Sequence, residues 1–111
     1  MSDTINFEDF TKVDLRIGTI IDVDDFPKAQ NPSFKLTIDF GDLGIKKSSA
    51  QITMLYGKKE LIGKQIVAVV NFPKKQIANF MSECLILGAV DSQGVILLNP
   101  EGPVINGSTV S

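Results

Sequence analysis

An all-β chain folded as a small five-stranded barrel is what this 111-residue sequence predicts, and three observations carry the prediction. Residues 15–23 and 34–40 alternate apolar with polar side chains at period two, as strands with one buried face do. Two later runs, Ile66 to Phe72 and Cys84 to Val90, are apolar at both parities, as expected of the most enclosed strands. Between these two pairs lies a single short helical signal.

In chain order, a helical turn is expected over Phe7 to Lys12. The first strand sets Leu15, Ile17, Thr19, Ile21 and Val23 on one face and Arg16, Gly18, Ile20 and Asp22 on the other, so the first set is expected in the core. Phe34, Leu36, Ile38 and Phe40 against Lys35, Thr37 and Asp39 form the second strand, which stops at Gly41-Asp42. A more polar third strand covers Lys46 to Ile52, with Lys46, Ser48 and Ala50 on one face and Lys47, Ser49 and Gln51 on the other. Only one lysine of that pair can face a given partner. Thr53 is placed to cap a short helix through about Leu61, with Leu55 and Tyr56 toward the core, although Gly57 weakens it by about 1 kcal/mol relative to alanine. Gly63 closes that segment, and Val95 to Leu98 adds a short strand before a tail marked by proline and glycine. The stretch NFPKKQIANFMSE, residues 71–83, joins two apolar strands with more chain than a hairpin loop needs, so it is read as a long functional loop. The order strand, strand, strand, short helix, strand, strand is that of an OB-fold, a Greek-key barrel whose faces and loops bind oligonucleotides. Several small barrels share the outline, and a fold does not fix a function.

The length suits one domain, 1–111, which buries roughly two-thirds of its unfolded surface without staples. With no long apolar run and no basic, apolar, small-residue leader, the expectation is a cytoplasmic chain without membrane insertion. Cys84 is the single cysteine and reads as a small core hydrophobe. The absence of histidine removes Ser-His and Cys-His nucleophilic pairs, histidine bases and nearly all zinc ligand sets. No HExxH, GxSxG or P-loop spacing occurs, and Gly41 and Gly44 do not make a GxGxxG, so no catalysis, metal or cofactor is expected.

Net charge is only −2, but its distribution is uneven. Residues 1–45 hold nine acidic and four basic side chains, residues 46–75 one and seven, and residues 76–111 three and none. The basic middle third contains two lysine pairs, Lys46-Lys47 and Lys74-Lys75, that adjoin apolar strands, whereas Lys58, Lys59 and Lys64 read as solvation of a helix and a turn.

DLRIGTI at 14–20 together with LIGKQIVAVVNFPKKQIANFMSE at 61–83 resemble the tRNA-binding domain family, an OB-fold module that also occurs as the C-terminal appendage of methionyl-tRNA synthetases and in cytokine-like synthetase cofactors. The resemblance runs from about Phe10 to the C-terminus. FPKAQNPSFKLTIDFG at 26–41 and IKKSSAQIT at 45–53 resemble one branch of it, the free-standing CsaA proteins, described as export-related chaperones that form homodimers. The sequence departs from other branches where Phe26-Pro27 replaces a His-Pro, Lys46 an arginine, Ala50-Gln51 a Ser-Gly, Lys75 an arginine, Asn79 a glycine and Cys84-Leu85 a Gly-Met pair. The resemblance implies that residues 71–82 belong to a tRNA-facing surface, with Asn71, Lys75 and Ser82 on its characteristic positions.

Two function classes follow. In the first, a dimeric OB-fold grips tRNA or another structured RNA through Arg16, Lys46, Asn71, Lys74, Lys75 and Ser82: ammonium groups attract phosphate, while the amide and hydroxyl reach bases or 2′-hydroxyls. Arg16 reads equally as an ion pair with Asp14 or Glu83, and Glu83 as a group that orients a lysine or accepts from a base amino group. In the second, implied by the CsaA resemblance, an apolar groove takes unfolded or export-bound polypeptide, with the SecA translocation motor as a candidate partner. Ile77, Phe80 and Met81 are its candidate contacts, and Phe34 and Phe72 are expected in the core. Both chain ends, and the apolar residues of VILLNPEGPVINGSTV, are expected to form a homodimer interface.

Overall fold

The computed structural model describes residues 3–111; Met1 and Ser2, which open the expected domain span, lie outside the described residues. A short helix α1 (Phe7–Thr11) leads into the long strand β1 (Leu15–Asp25), followed by β2 (Phe34–Asp39), a 3-10 turn (Gly41–Leu43) and β3 (Ile45–Ala50). Helix α2 (Lys58–Leu61) precedes β4 (Gln65–Val69), then come β5 (Lys75–Ile77), β6 (Phe80–Ser82), β7 (Leu85–Ile86), β8 (Gly88–Asp91), β9 (Gly94–Leu97) and β10 (Thr109–Val110).

The main antiparallel sheet has six strands: β3-β2-β1-β4-β7 in that order make the five-stranded barrel that the sequence predicts, and the short β10 joins it alongside β1. Its organiser is β1. Leu15 to Thr19 pair with β4 along one edge, Thr19 to Asp25 pair with β2 along the other, and Leu15 and Arg16 take Val110 and Thr109 of β10. The sheet curls until β3 reaches the segment before β7, where the Glu83 N–H donates to the Lys47 carbonyl at 2.7 Å.

The expected face of β1 is corrected by a β-bulge. Pairing with β2 shifts between Ile20 and Asp22, so the strand's inward parity changes there. Ile20 is therefore fully buried and Ile21 is 43% exposed, the reverse of the sequence expectation, while Val23 returns to the core. Gly18 shares the inward face with Ile20: a Cβ there would lie 2.6 Å from Ile38 Cγ2 and 2.7 Å from the Phe40 ring, so no larger residue fits. The core gathers Ile20, Val23, Phe34, Leu36, Ile38, Phe40, Ile52, Leu61, Ile66, Ala68, Cys84 and Leu97.

Other boundaries also move. Thr53 caps no helix: Gly57 is extended (φ −92°, ψ 159°) and its N–H is held by Glu60 Oε1, so α2 starts only at Lys58. Leu55 is exposed as a result, whereas the Tyr56 hydroxyl reaches inward and accepts the Leu97 N–H at 3.0 Å. The strand expected to run to Phe72 ends at Val69, and Phe72, expected in the core, is 55% exposed. The expected strand Cys84 to Val90 divides into β7, which stays in the barrel, and β8, which leaves it to pair with β9. No helix among the described residues is long and apolar enough to cross a membrane.

Candidate nucleic-acid interface

The seam that closes the barrel is polar, and it assembles the lysines. Glu83 pairs with Lys47 in both directions: its N–H donates to the Lys47 carbonyl at 2.7 Å, and its Oε1 accepts the Lys47 N–H at 2.9 Å. One residue on, the fully buried Ser48 hydroxyl donates to the Cys84 carbonyl at 2.7 Å. The other Glu83 oxygen lies 3.4 Å from Lys74 Nζ. Burial tends to raise the Glu83 carboxyl, but the Lys47 N–H, the hydrogen bond and charge of Lys74 and the charge of Lys46 outweigh it, leaving it below its usual 4.5. Burial pushes the Cys84 thiol up to about 11, as befits an inert core residue.

Residues 71–83 are not one open loop. β5 and β6 form a hairpin in which Lys75 faces Ser82, Gln76 faces Met81 and Ile77 faces Phe80. Its two-residue turn is Ala78-Asn79, and the positive φ falls on Ala78 (53°). Phe80 stacks edge-on against Phe26 at 5.3 Å, and Lys35 Nζ lies 5.7 Å and 5.9 Å from the two ring centroids. That contact ties the hairpin to the β1–β2 connection. Between them runs a groove of about 630 Å³ whose lining includes Gln30, Asn31, Ser49, Gln51, Lys75 and Gln76, with no carboxylate. A smaller recess of about 270 Å³ adjoins it, bounded by Phe72, Lys75, Ile77, Ser82, Cys84 and Leu85 among others.

The residues singled out from sequence fall into two groups. Lys46, Lys74, Lys75 and Ser82 converge on the Glu83 seam, and Lys75, Ile77 and Ser82 line the recess. Met81 is exposed on β6, and Phe80 is half-buried against Phe26. Arg16 and Asn71 are engaged elsewhere. Arg16 Nε donates to Asp14 Oδ1 at 2.6 Å and its Nη1 to the Gly107 carbonyl at 3.0 Å, so of its two readings the Asp14 ion pair is present. Asn71 Oδ1 accepts the Asp14 N–H at 2.9 Å, and its Nδ2 donates to the Lys12 carbonyl at 2.7 Å, latching the start of β1. The sequence reading missed Phe26, Lys35 and the carboxamides of Gln30, Asn31 and Gln51. The clustering of amides beside prolines in FPKAQNPS was the available signal.

Chemically, the arrangement places ammonium groups beside carboxamides and hydroxyls, which suits phosphates next to base edges. A family model described as "Putative tRNA binding domain" matches residues 15–109. The chain belongs to the tRNA-binding domain family. The methionine–tRNA ligase of Nanoarchaeum equitans (strain Kin4-M) is 40% identical over 108 residues, 96% of this chain and 13% of the ligase. The chain thus spans about an eighth of the length of that relative. Among solved structures, the chaperone CsaA of Bacillus anthracis str. Ames is 52% identical with a TM-score of 0.94, covering 98% of this chain and all of that one. The CsaA chaperone protein of Picrophilus torridus is 54% identical with a TM-score of 0.93, covering 97% of this chain and all of that one. The matched span includes the Glu83 seam and the β5–β6 hairpin.

Proposed function

We propose that the chain is a non-catalytic binding module that takes tRNA or a similarly structured RNA on the basic strand-and-loop surface around Glu83. One observation supports this most directly: barrel closure brings Lys46 and Lys74, distant in sequence, to the Glu83 carboxylate, while Lys75, opposite Ser82, lines a groove free of acidic side chains. Ammonium groups there attract phosphates with strong salt dependence, and the neighbouring carboxamides and hydroxyls match base edges and 2′-hydroxyls. The 40%-identical stretch of a methionine–tRNA ligase supports tRNA as the ligand. The cytoplasm is where such a ligand would be met.

A second reading rests on a separate observation. Phe72 and Leu85 are exposed at the recess that adjoins the groove, Met81 is exposed on β6, and two 52–54% identical structures are chaperones, which supports capture of unfolded or export-bound polypeptide, with SecA as a further partner. Exposed Ile5, Phe7, Phe10, Val13, Val104 and Ile105 support a homodimer through the chain ends. Parallel titration with tRNA and with an unfolded polypeptide, at low and physiological salt, tests both readings. Tight tRNA binding that weakens steeply with salt supports the first. Polypeptide binding indifferent to salt, with none to tRNA, overturns it in favour of the second.

A further inference from the structure

Glu83 is out of place on an anion-binding surface. Its carboxylate lies among the lysines, paired with Lys74 and within the charge field of Lys46, and a mobile carboxylate there would turn away from an arriving phosphate. This one cannot turn. The Lys47 N–H fixes Oε1 at 2.9 Å, the residue's own N–H is committed to the Lys47 carbonyl, and the side chain is only 25% exposed. Oε2 is thereby aimed at Lys74 Nζ, 3.4 Å away, while the Lys74 side chain is 65% exposed and reaches into solvent. The carboxylate oxygen sits where a phosphate oxygen would sit to pair with that ammonium group. Lys75, which faces Ser82 across the hairpin, has no such partner among the described residues' ion pairs.

We propose that Glu83 is a built-in competitor for phosphate at Lys74, held in place by the barrel seam, and that it sets the selectivity of the surface by making Lys74 available only to ligands that already engage Lys75 and the groove. The proposal rests on the RNA-binding reading for its natural ligand, but its mechanism concerns any polyanion. A loosely held polyanion meets a half-neutralised surface. A ligand anchored in the groove brings phosphate to Lys74 at high local concentration and displaces the carboxylate.

The test uses the intact chain with two probes, heparin and tRNA, each across a salt series. Glu83→Gln keeps an oxygen for the Lys47 N–H and removes the charge, so it should bind heparin about two- to tenfold more tightly at low salt. Its log affinity should fall with log salt more steeply by about one unit, since one more ammonium group joins the contact. The gain for tRNA should be the smaller of the two. In a Lys74→Ala background the Glu83→Gln gain should shrink by half or more. A comparison that leaves Glu83 intact guards against misfolding of the glutamine variant: Lys74→Ala should cost less affinity than Lys75→Ala. An unchanged or weakened heparin affinity in folded Glu83→Gln, an undiminished gain without Lys74, or an equal cost for the two lysines would each overturn the proposal. Failure of the wild type to bind tRNA would overturn the RNA reading alone, and the heparin arm would still decide this one.

Discussion

Replacing Ser48 by alanine tests whether the polar seam holds the barrel together. Ser48 is 1% exposed, and its hydroxyl donates at 2.7 Å to the Cys84 carbonyl across the junction where β3 meets the segment before β7. In Ser48→Ala that carbonyl keeps only the longer contact from the Ser82 hydroxyl, at 3.3 Å. Losing a buried hydrogen bond whose acceptor stays partly satisfied costs about 1–2 kcal/mol. For a chain of this size that corresponds to a fall in melting temperature of about 3–10 °C. Ser49→Ala, one residue along on the groove-lining face, serves as the control and should shift stability by less than about 0.5 kcal/mol. Thermal unfolding followed by far-UV circular dichroism reads both variants. A Ser48→Ala protein melting within 1 °C of the wild type, or a control that suffers equally, would refute the assignment of the seam as the closure.

Three further outcomes are expected. Lys74→Ala with Lys75→Ala should leave stability within about 1 kcal/mol, because the Lys74 side chain is mostly exposed and the Glu83 carboxylate keeps its bond from the Lys47 N–H. It should flatten the salt dependence of tRNA affinity by one to two units, nearer about one because Lys74 is half-neutralised; an unaltered slope in tRNA titrations would remove the hairpin from the site. Ala78→Gly relieves a left-handed alanine at about 1–2 kcal/mol and adds back roughly half of that as chain entropy, so the Ile77 and Phe80 amides should exchange with deuterium more slowly. Cys84 should resist thiol reagents in the native protein at pH 8 and react on unfolding. Because burial raises its folded value from 9.0 to about 11, its contribution to stability is complete below pH 9 and is lost as pH rises toward 11, which alkaline melting curves would show.

The barrel was legible in the sequence because most of its strands bury one face and the alternation of β2 reports that face directly. Failures occurred where tertiary geometry overrides period two. The bulge at Ile21 adds a residue that no local pattern announces, since Ile20 and Ile21 are equally apolar. Phe72 looked like core because it ends an apolar run, yet Asn71 turns the chain away by binding the backbone of Lys12 and Asp14, more than fifty residues earlier. At the candidate site, the two lysine pairs were visible, but their meeting was not, because it depends on Glu83 bonding to β3 across the seam. The Phe26, Phe80 and Lys35 cluster draws from three separated segments, and only the closed barrel makes it one object.

The double edge of β1 has a consequence for how the chain comes into being on the ribosome. The Thr19–Asp25 half finds β2 almost at once, a local hairpin with little chain to close. The Leu15–Ile17 half must wait for Val69 on one side and for Ser108 to Val110 on the other. At roughly 5–20 residues per second, the roughly 40 residues between those arrivals take about 2–8 s. For that interval the nascent barrel presents a bare strand edge, open to pairing with a neighbouring chain on a crowded polysome. The last strand is only two residues long, yet its arrival covers the edge at Leu15 and Arg16.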